Sequence, residues 1–300
     1  MFEVRIGATT LCALLVLAAS AAPAFADAIA RGDSAFLRRA EGGSDGRAAS
    51  EPIGEAIRAY QEAVATDPRD LEARWKLLRA LHFEGDFVAD QREAKRRVFD
   101  RGRILSDEGV KLMAERVGGG KQLHELSARE LQERLTEAAV FPYDIAAFYF
   151  WSAINWAAWS RVSGLVSAVR RGVANRLRDY TLVVLTLEPD YEEAGAQRLM
   201  AALHARLPRV PFLSGWVNRS EALPYVERAL AIAPEHPGNH LLLALTLLDL
   251  YPERRAEALA VLEEVSALDP RPASEVEDLA VRREARERLE KELASNGEPQ

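Results

Sequence analysis

Few residues in this chain have the type and spacing for covalent chemistry. Its only cysteine is Cys12, inside an apolar run near the N-terminus, so the remaining chain has no thiol for catalysis or a disulfide. The histidines are His82, His124, His204, His236 and His240. His236 and His240 stand four apart, but Pro237 makes His236 a pre-helical residue. The two rings therefore do not share a helical face, and no third ligand follows nearby. Gly118-Gly119-Gly120-Lys121 is too short for a phosphate loop, and Gln122 stands where Ser or Thr is needed. It reads as a flexible break. No nucleophile elbow, Cys–His pair or dinucleotide fingerprint occurs. The many carboxylates fall on charged helix faces, where solvation explains them. The chain is therefore not expected to be an enzyme, nor to hold a metal or a cofactor.

The remaining chemistry is that of binding. Phe141 to Ser160 reads FPYDIAAFYFWSAINWAAWS and holds Trp151, Trp156 and Trp159. At 100° per residue, Phe148, Trp151, Asn155, Trp156 and Trp159 share a broad arc, with Tyr149 at its edge. Phe150 and Ile154 fall on the far side. A helix apolar on nearly all sides requires partners on nearly all sides. Asn155 is the exception, an amide whose hydrogen-bonding sites need partners once buried. The ordinary reading is a core helix whose amide bonds to a neighbouring backbone. The sharper reading is an aromatic groove with one polar handle. Its candidate residues are Tyr149, Trp151, Asn155, Trp156 and Trp159. Phe212 and Trp216 join them from an irregular loop between Pro208 and Trp216, which either covers the groove or is merely tacked down by its two aromatics.

The elements that must position these residues are helices. Ile53 to Thr66 carries Ala56, Tyr60 and Ala63 on one face and ends at Asp67-Pro68. The next helix carries Trp75, Leu78 and Leu81 and stops at Gly85-Asp86, with Phe87 just beyond. Small alanines let two helices approach, a large aromatic fills the space beside them, and proline closes the pair. The same ending recurs at Glu188-Pro189, Ala233-Pro234 and Asp269-Pro270. Ala222 and Ala229 precede Pro234 as Ala56 and Ala63 precede Pro68. The gap between Pro68 and Pro189 is far longer than one repeat of roughly 34 residues. It holds a basic helix, the glycine break, a helix capped by Ser127 and Glu130, and the aromatic helix. Leu182 to Leu187 has strand composition but continues a helical run without a turn signal, so it reads as helix. Ser274 and Glu277 form a capping box that opens a charged last helix, of the kind that shields the end of an array.

The bulk properties agree with a folded, acidic protein. The chain has 300 residues, 48% apolar and 28% charged, with a net charge of −7. Without a basic cluster it is a poor partner for nucleic acid. The N-terminus reads as an export signal: Arg5, an apolar core from Leu11 to Ala19, and the small-x-small site Ala24-Phe25-Ala26. Cleavage there gives a start at Asp27 and a periplasmic protein. The alternative is an uncleaved anchor, since Ile6 to Ala26 carries no charge. Cys12 is a poor lipidation site, because Leu11 precedes it where a small residue is wanted. The expected organisation is a signal at 1–26, an N-terminal segment and loop at 27–52, a helical domain at 53–293 and a disordered tail at 294–300.

Ala56, Tyr60, Ala63 and Pro68, followed by Trp75, Leu77, Leu81, Gly85, Asp86 and Phe87, resemble the tetratricopeptide repeat (TPR). A more specific combination is FYFWSAINWAAW, then LEPDYEEAGAQRLMAALHARLP, then ERALAIAPEHPGN. It resembles the T-component family associated with TRAP transporters (TatT), over roughly Ile53 to Leu289. The resemblance implies an all-α, degenerate TPR-like helical-hairpin array with a diverged aromatic central helix. It also implies an accessory protein outside the inner membrane that works with the transporter's solute-binding protein and handles an apolar ligand. Members are often lipoproteins, and the lack of a convincing lipidation cysteine departs from that pattern. The competing expectation is a periplasmic TPR scaffold for envelope protein–protein contacts, with no small ligand.

Overall fold

The computed structural model describes residues 25–295. Residues 1–24 of the expected export signal, with Cys12, and the last five residues of the expected tail lie outside them, whereas Phe25 and Ala26 of the signal begin the first helix and Ala294 and Ser295, expected in a disordered tail, end the last one. The described chain is all-α, with thirteen α-helices and, among these residues, no strand. They are α1 (25–37), α2 (Ser50–Thr66), α3 (Leu71–Phe83), α4 (Arg92–Arg116), α5 (Ala128–Glu137), α6 (Pro142–Ser163) and α7 (Leu165–Arg170). After these come α8 (Val173–Leu187), α9 (Tyr191–Arg206), α10 (Ala222–Ile232), α11 (Pro237–Leu250), α12 (Arg255–Ala267) and α13 (Glu275–Ser295). Consecutive helices pack pairwise from α2 to α4 and from α8 to α13, which makes a helical-hairpin array. Leu182 to Leu187 is the last part of α8, a helix as its context implied. None of the described helices is long and apolar enough to cross a membrane.

Local chemistry sets the ends. Asp70 caps α3 by accepting from Ala73 N at 2.7 Å. Ser127 and Glu130 form the expected capping box on α5. Proline begins α6 and α11, where its missing N–H costs nothing.

The array is built around α6, with α3, α4 and α8 packed on its sides. Phe148, Tyr149 and Trp156 are almost wholly buried, as are Tyr60 and Phe99 nearby. Each contributes about 1.5–3 kcal/mol of apolar burial. Two glycines of α4 permit the close approach: a Cβ on Gly109 would stand 2.3 Å from the Phe148 ring, and one on Gly102 2.1 Å from Asn155 Oδ1. Later in the chain, Ala222, Val226, Ala229 and Ala258 are fully buried.

Two expectations need correction. The segment 27–52 is not only a loop. Residues 25–37 form α1, and its Ala28, Ile29, Ala35 and Phe36 join the main core. Their spacing presents one apolar stripe, which the glycines further on obscured. The Ser274–Glu277 capping box also gives way to a longer-range partner. A 3₁₀ turn precedes α13, and Glu277 Oε1 instead accepts from Arg39 Nε at 2.8 Å. Arg283 donates to Asp45 O at 2.7 Å beside it. The last helix thus covers α11 and α12 and also closes back onto the start of the chain.

Candidate functional site

The seven sequence candidates do not converge on one groove. Tyr149, Asn155, Trp156 and Trp159 are interior. Asn155 Nδ2 donates to Leu78 O at 2.9 Å and to Trp151 O at 2.8 Å, so the amide ties α6 to α3 and to its own preceding turn. Its Oδ1 is buried without a hydrogen-bond partner. Trp156 lies beneath the guanidinium groups of Arg103 and Arg176, at 5.4 and 4.7 Å. Trp159 Nε1 donates to Asp100 Oδ1 at 2.9 Å. Trp216 is tacked down, with Nε1 donating to Asn175 Oδ1 at 2.8 Å and its ring edge-on to His204. Phe212 is not tacked down, and its ring is fully exposed.

Trp151 alone among the seven reaches a cleft. Phe150, Trp151 and Ile154 of α6 form one wall, and Leu199 of α9 with Leu241, Leu242 and Leu245 of α11 form the other. The cleft measures about 390 Å³, within the range of small-molecule sites. Phe150 and Ile154 are the residues on the far side of α6 from the buried tryptophan face. Trp151 stands at the edge between the two faces, held by Nε1 donating to Tyr191 Oη at 3.0 Å.

Polar groups punctuate this apolar lining. His82 of α3 sits 5.6 Å from the Trp151 ring, centroid to centroid. Its Nδ1 is buried without a hydrogen-bond partner, and its Nε2 stands 3.7 Å from Asp86 Oδ2. Burial pushes its pKa down, which keeps the imidazole neutral near pH 7. Arg198 of α9 supplies a cation, lowered by burial to about 10 and therefore still charged. Glu192 joins them at the head of α9.

Glu192, Glu193 and Ala194 form an unusual turn, all three in the left-handed region at φ of 50°, 51° and 71°. Side-chain-bearing residues avoid that region by about 1–2 kcal/mol each, so surrounding contacts must hold the turn. Arg198 does so. Its Nη2 donates to Glu192 O at 2.7 Å, while Nη1 donates to Glu193 O and, at 2.9 Å, to Asn239 Oδ1. Asn239 is fixed in turn by donating to Ala229 O and Ala233 O. Nothing in the motif EEAG announces this geometry. The polar groups of the cleft were likewise missed, although the far-side position of Phe150 and Ile154 was a usable signal.

The cleft is lined mainly by apolar side chains, with His82, Glu192, Arg198, Arg206 and Glu284 among them. Its lining contains no Ser, Thr or Cys beside a base. A larger cavity of about 810 Å³ lies between α4 and α8. Among its lining residues, Arg176 pairs with Asp107 at 3.1 Å and His124 Nε2 stands 3.5 Å from Asp179 Oδ2. His236, considered above for metal, instead caps α11 by accepting from Gly238 N at 3.1 Å. Among the described residues, no group of His, Cys, Asp and Glu is arranged to hold a metal ion. No protein-family model matches the chain, and no curated protein matches it.

Proposed function

We propose that this chain is an exported, TPR-like binding protein. In this reading it works beside a TRAP-type transport system, contacts the solute-binding protein and holds an apolar small ligand in the cleft at Trp151. The sequence resemblance to the T-component family supports the transport context. The observation that carries the ligand is the cleft itself: an aliphatic and aromatic lining of about 390 Å³ with an unpartnered His82 Nδ1 inside it. An apolar wall with a few fixed polar groups is the usual composition of a small-molecule site.

The partner half of the proposal is tested by isothermal titration of the chain with a TRAP solute-binding protein from the same genome. The expected result is a saturable complex, and a solute-binding protein taken from an unrelated transporter class gives none. Absence of binding to every TRAP solute-binding protein in that genome would leave a peptide-binding envelope scaffold as the better reading.

A further inference from the structure

Beyond the cleft, the molecule leaves one apolar surface uncovered. Leu165, Val166 and Val169 share one side of α7 and are all exposed. The loop after α9 lies against α7, and Leu165, Val169, Val210 and Leu213 line one apolar cavity together. At the loop tip, Phe212 adopts φ of 65°, a conformation that side chains disfavour, with its ring wholly in solvent. Ser214 holds that tip by accepting from Val210 N at 3.1 Å and donating to Pro208 O. The ring is thus presented outward by a built turn. Contiguous exposed apolar surface of this kind marks an interaction site.

The charge around it is one-sided. The chain carries 46 Asp and Glu, yet none occurs from 145 to 178 or from 194 to 220, the two runs that meet here. Arg170 and Arg209, beside Val169 and Val210 in the chain, are exposed, and no carboxylate among the described residues forms an ion pair with them; Arg171 turns instead over the Trp159 ring at 5.4 Å. Arg161, at the cavity rim, is already matched by Asp86 at 3.0 Å. A two-fold contact between copies of the chain would bring the unpaired Arg170 and Arg209 of each copy to one interface, which is repulsive. An anionic lipid surface complements both features, since it accepts apolar tips and pairs its phosphates with arginine.

We propose that α7 and the 207–216 loop dock this protein on an anionic membrane surface. Phe212, Leu213 and Leu165 enter the boundary between headgroups and acyl chains, and Arg170 and Arg209 pair with lipid phosphates. The chain as a whole carries a net charge of −7, so its remaining surface is repelled by the same membrane. Binding is therefore shallow and weakened by salt.

The test is co-sedimentation with vesicles of phosphatidylethanolamine containing about one quarter phosphatidylglycerol, against vesicles of phosphatidylcholine alone. The protein should pellet with the anionic vesicles and stay in solution with the neutral ones. Arg170→Gln and Arg209→Gln should each weaken binding about fivefold. The double variant Phe212→Asp/Leu213→Asp should abolish it, with circular dichroism unchanged because both residues are exposed. Phe141→Asp alters another exposed ring, at the N-terminal end of α6 and away from α7, and should change nothing. The proposal is overturned if the protein ignores anionic vesicles, binds both vesicle types equally, or binds independently of Phe212 and Leu213. It is also overturned if sedimentation velocity finds a self-association that the double variant removes, which assigns the patch to a second copy.

Discussion

Asn155 and Gly102 meet where α6 crosses α4, with no room for even one methyl group between them. The amide can lie flat in that notch and still donate to Leu78 O on the opposite helix. This contact decides the role of Asn155: it is a buried tie between helices rather than the handle of a groove.

Gly102→Ala should therefore destabilise the fold. A mid-helix Gly→Ala change ordinarily gains about 1 kcal/mol, but overpacking here costs about 1–3 kcal/mol and displaces the amide from its carbonyl. Urea denaturation should show a net loss. The matched change Gly54→Ala in α2, which meets only the flexible end of Arg58, should be neutral or stabilising. Equal effects at both sites would count against the notch.

The left-handed turn at the head of α9 depends on Arg198. Arg198→Met keeps the apolar stem but leaves Glu192 O, Glu193 O and Asn239 Oδ1 without this donor. A loss of about 2–3 kcal/mol is expected. Amide exchange should accelerate first at residues 192–195, ahead of α6. A variant as stable as the parent would show that other contacts hold the turn.

The buried histidines should make the protein less stable as the pH falls below about 6.5. Burial lowers the pKa of His82, His204 and His236, the last to about 3, where Arg198 and Arg271 add to the effect. Unfolded histidine titrates near 6.5, so the unfolded chain binds more protons below that value. Stability is full above about pH 6.5 and falls as pH drops toward the folded values. The slope reaches about 1.4 kcal/mol per pH unit for each proton taken up. Urea midpoints at pH 7.5 and 5.5 should differ. His236→Asn, which keeps an N-cap side chain, should reduce the difference. Identical midpoints at the two pH values would contradict the buried, neutral state of these rings.

The helical array was legible in the sequence because its signals are local. Alanine faces, the prolines after each pair and the Ser127–Glu130 box all report on residues within one or two turns. The depth of α6 was legible for the same reason, since a helix apolar all round has few alternatives. The cleft was not, because it joins Trp151 to Leu241 and to His82, which lie on different helices. Which side of α6 opens depends on how α9 and α11 lean against it, and no periodicity within α6 encodes that. The Arg39–Glu277 closure is invisible for a related reason: Glu277 fits a local box equally well on spacing alone.

The central claim is that the cleft at Trp151 takes an apolar ligand, and intrinsic tryptophan fluorescence tests it most directly. A panel of medium- and long-chain carboxylates and neutral apolar compounds should produce a saturable change for at least one member. That change should vanish in Trp151→Phe and persist in Trp216→Phe, whose indole lies outside the cleft. A flat titration across the panel, or a signal that survives the loss of Trp151, would contradict it.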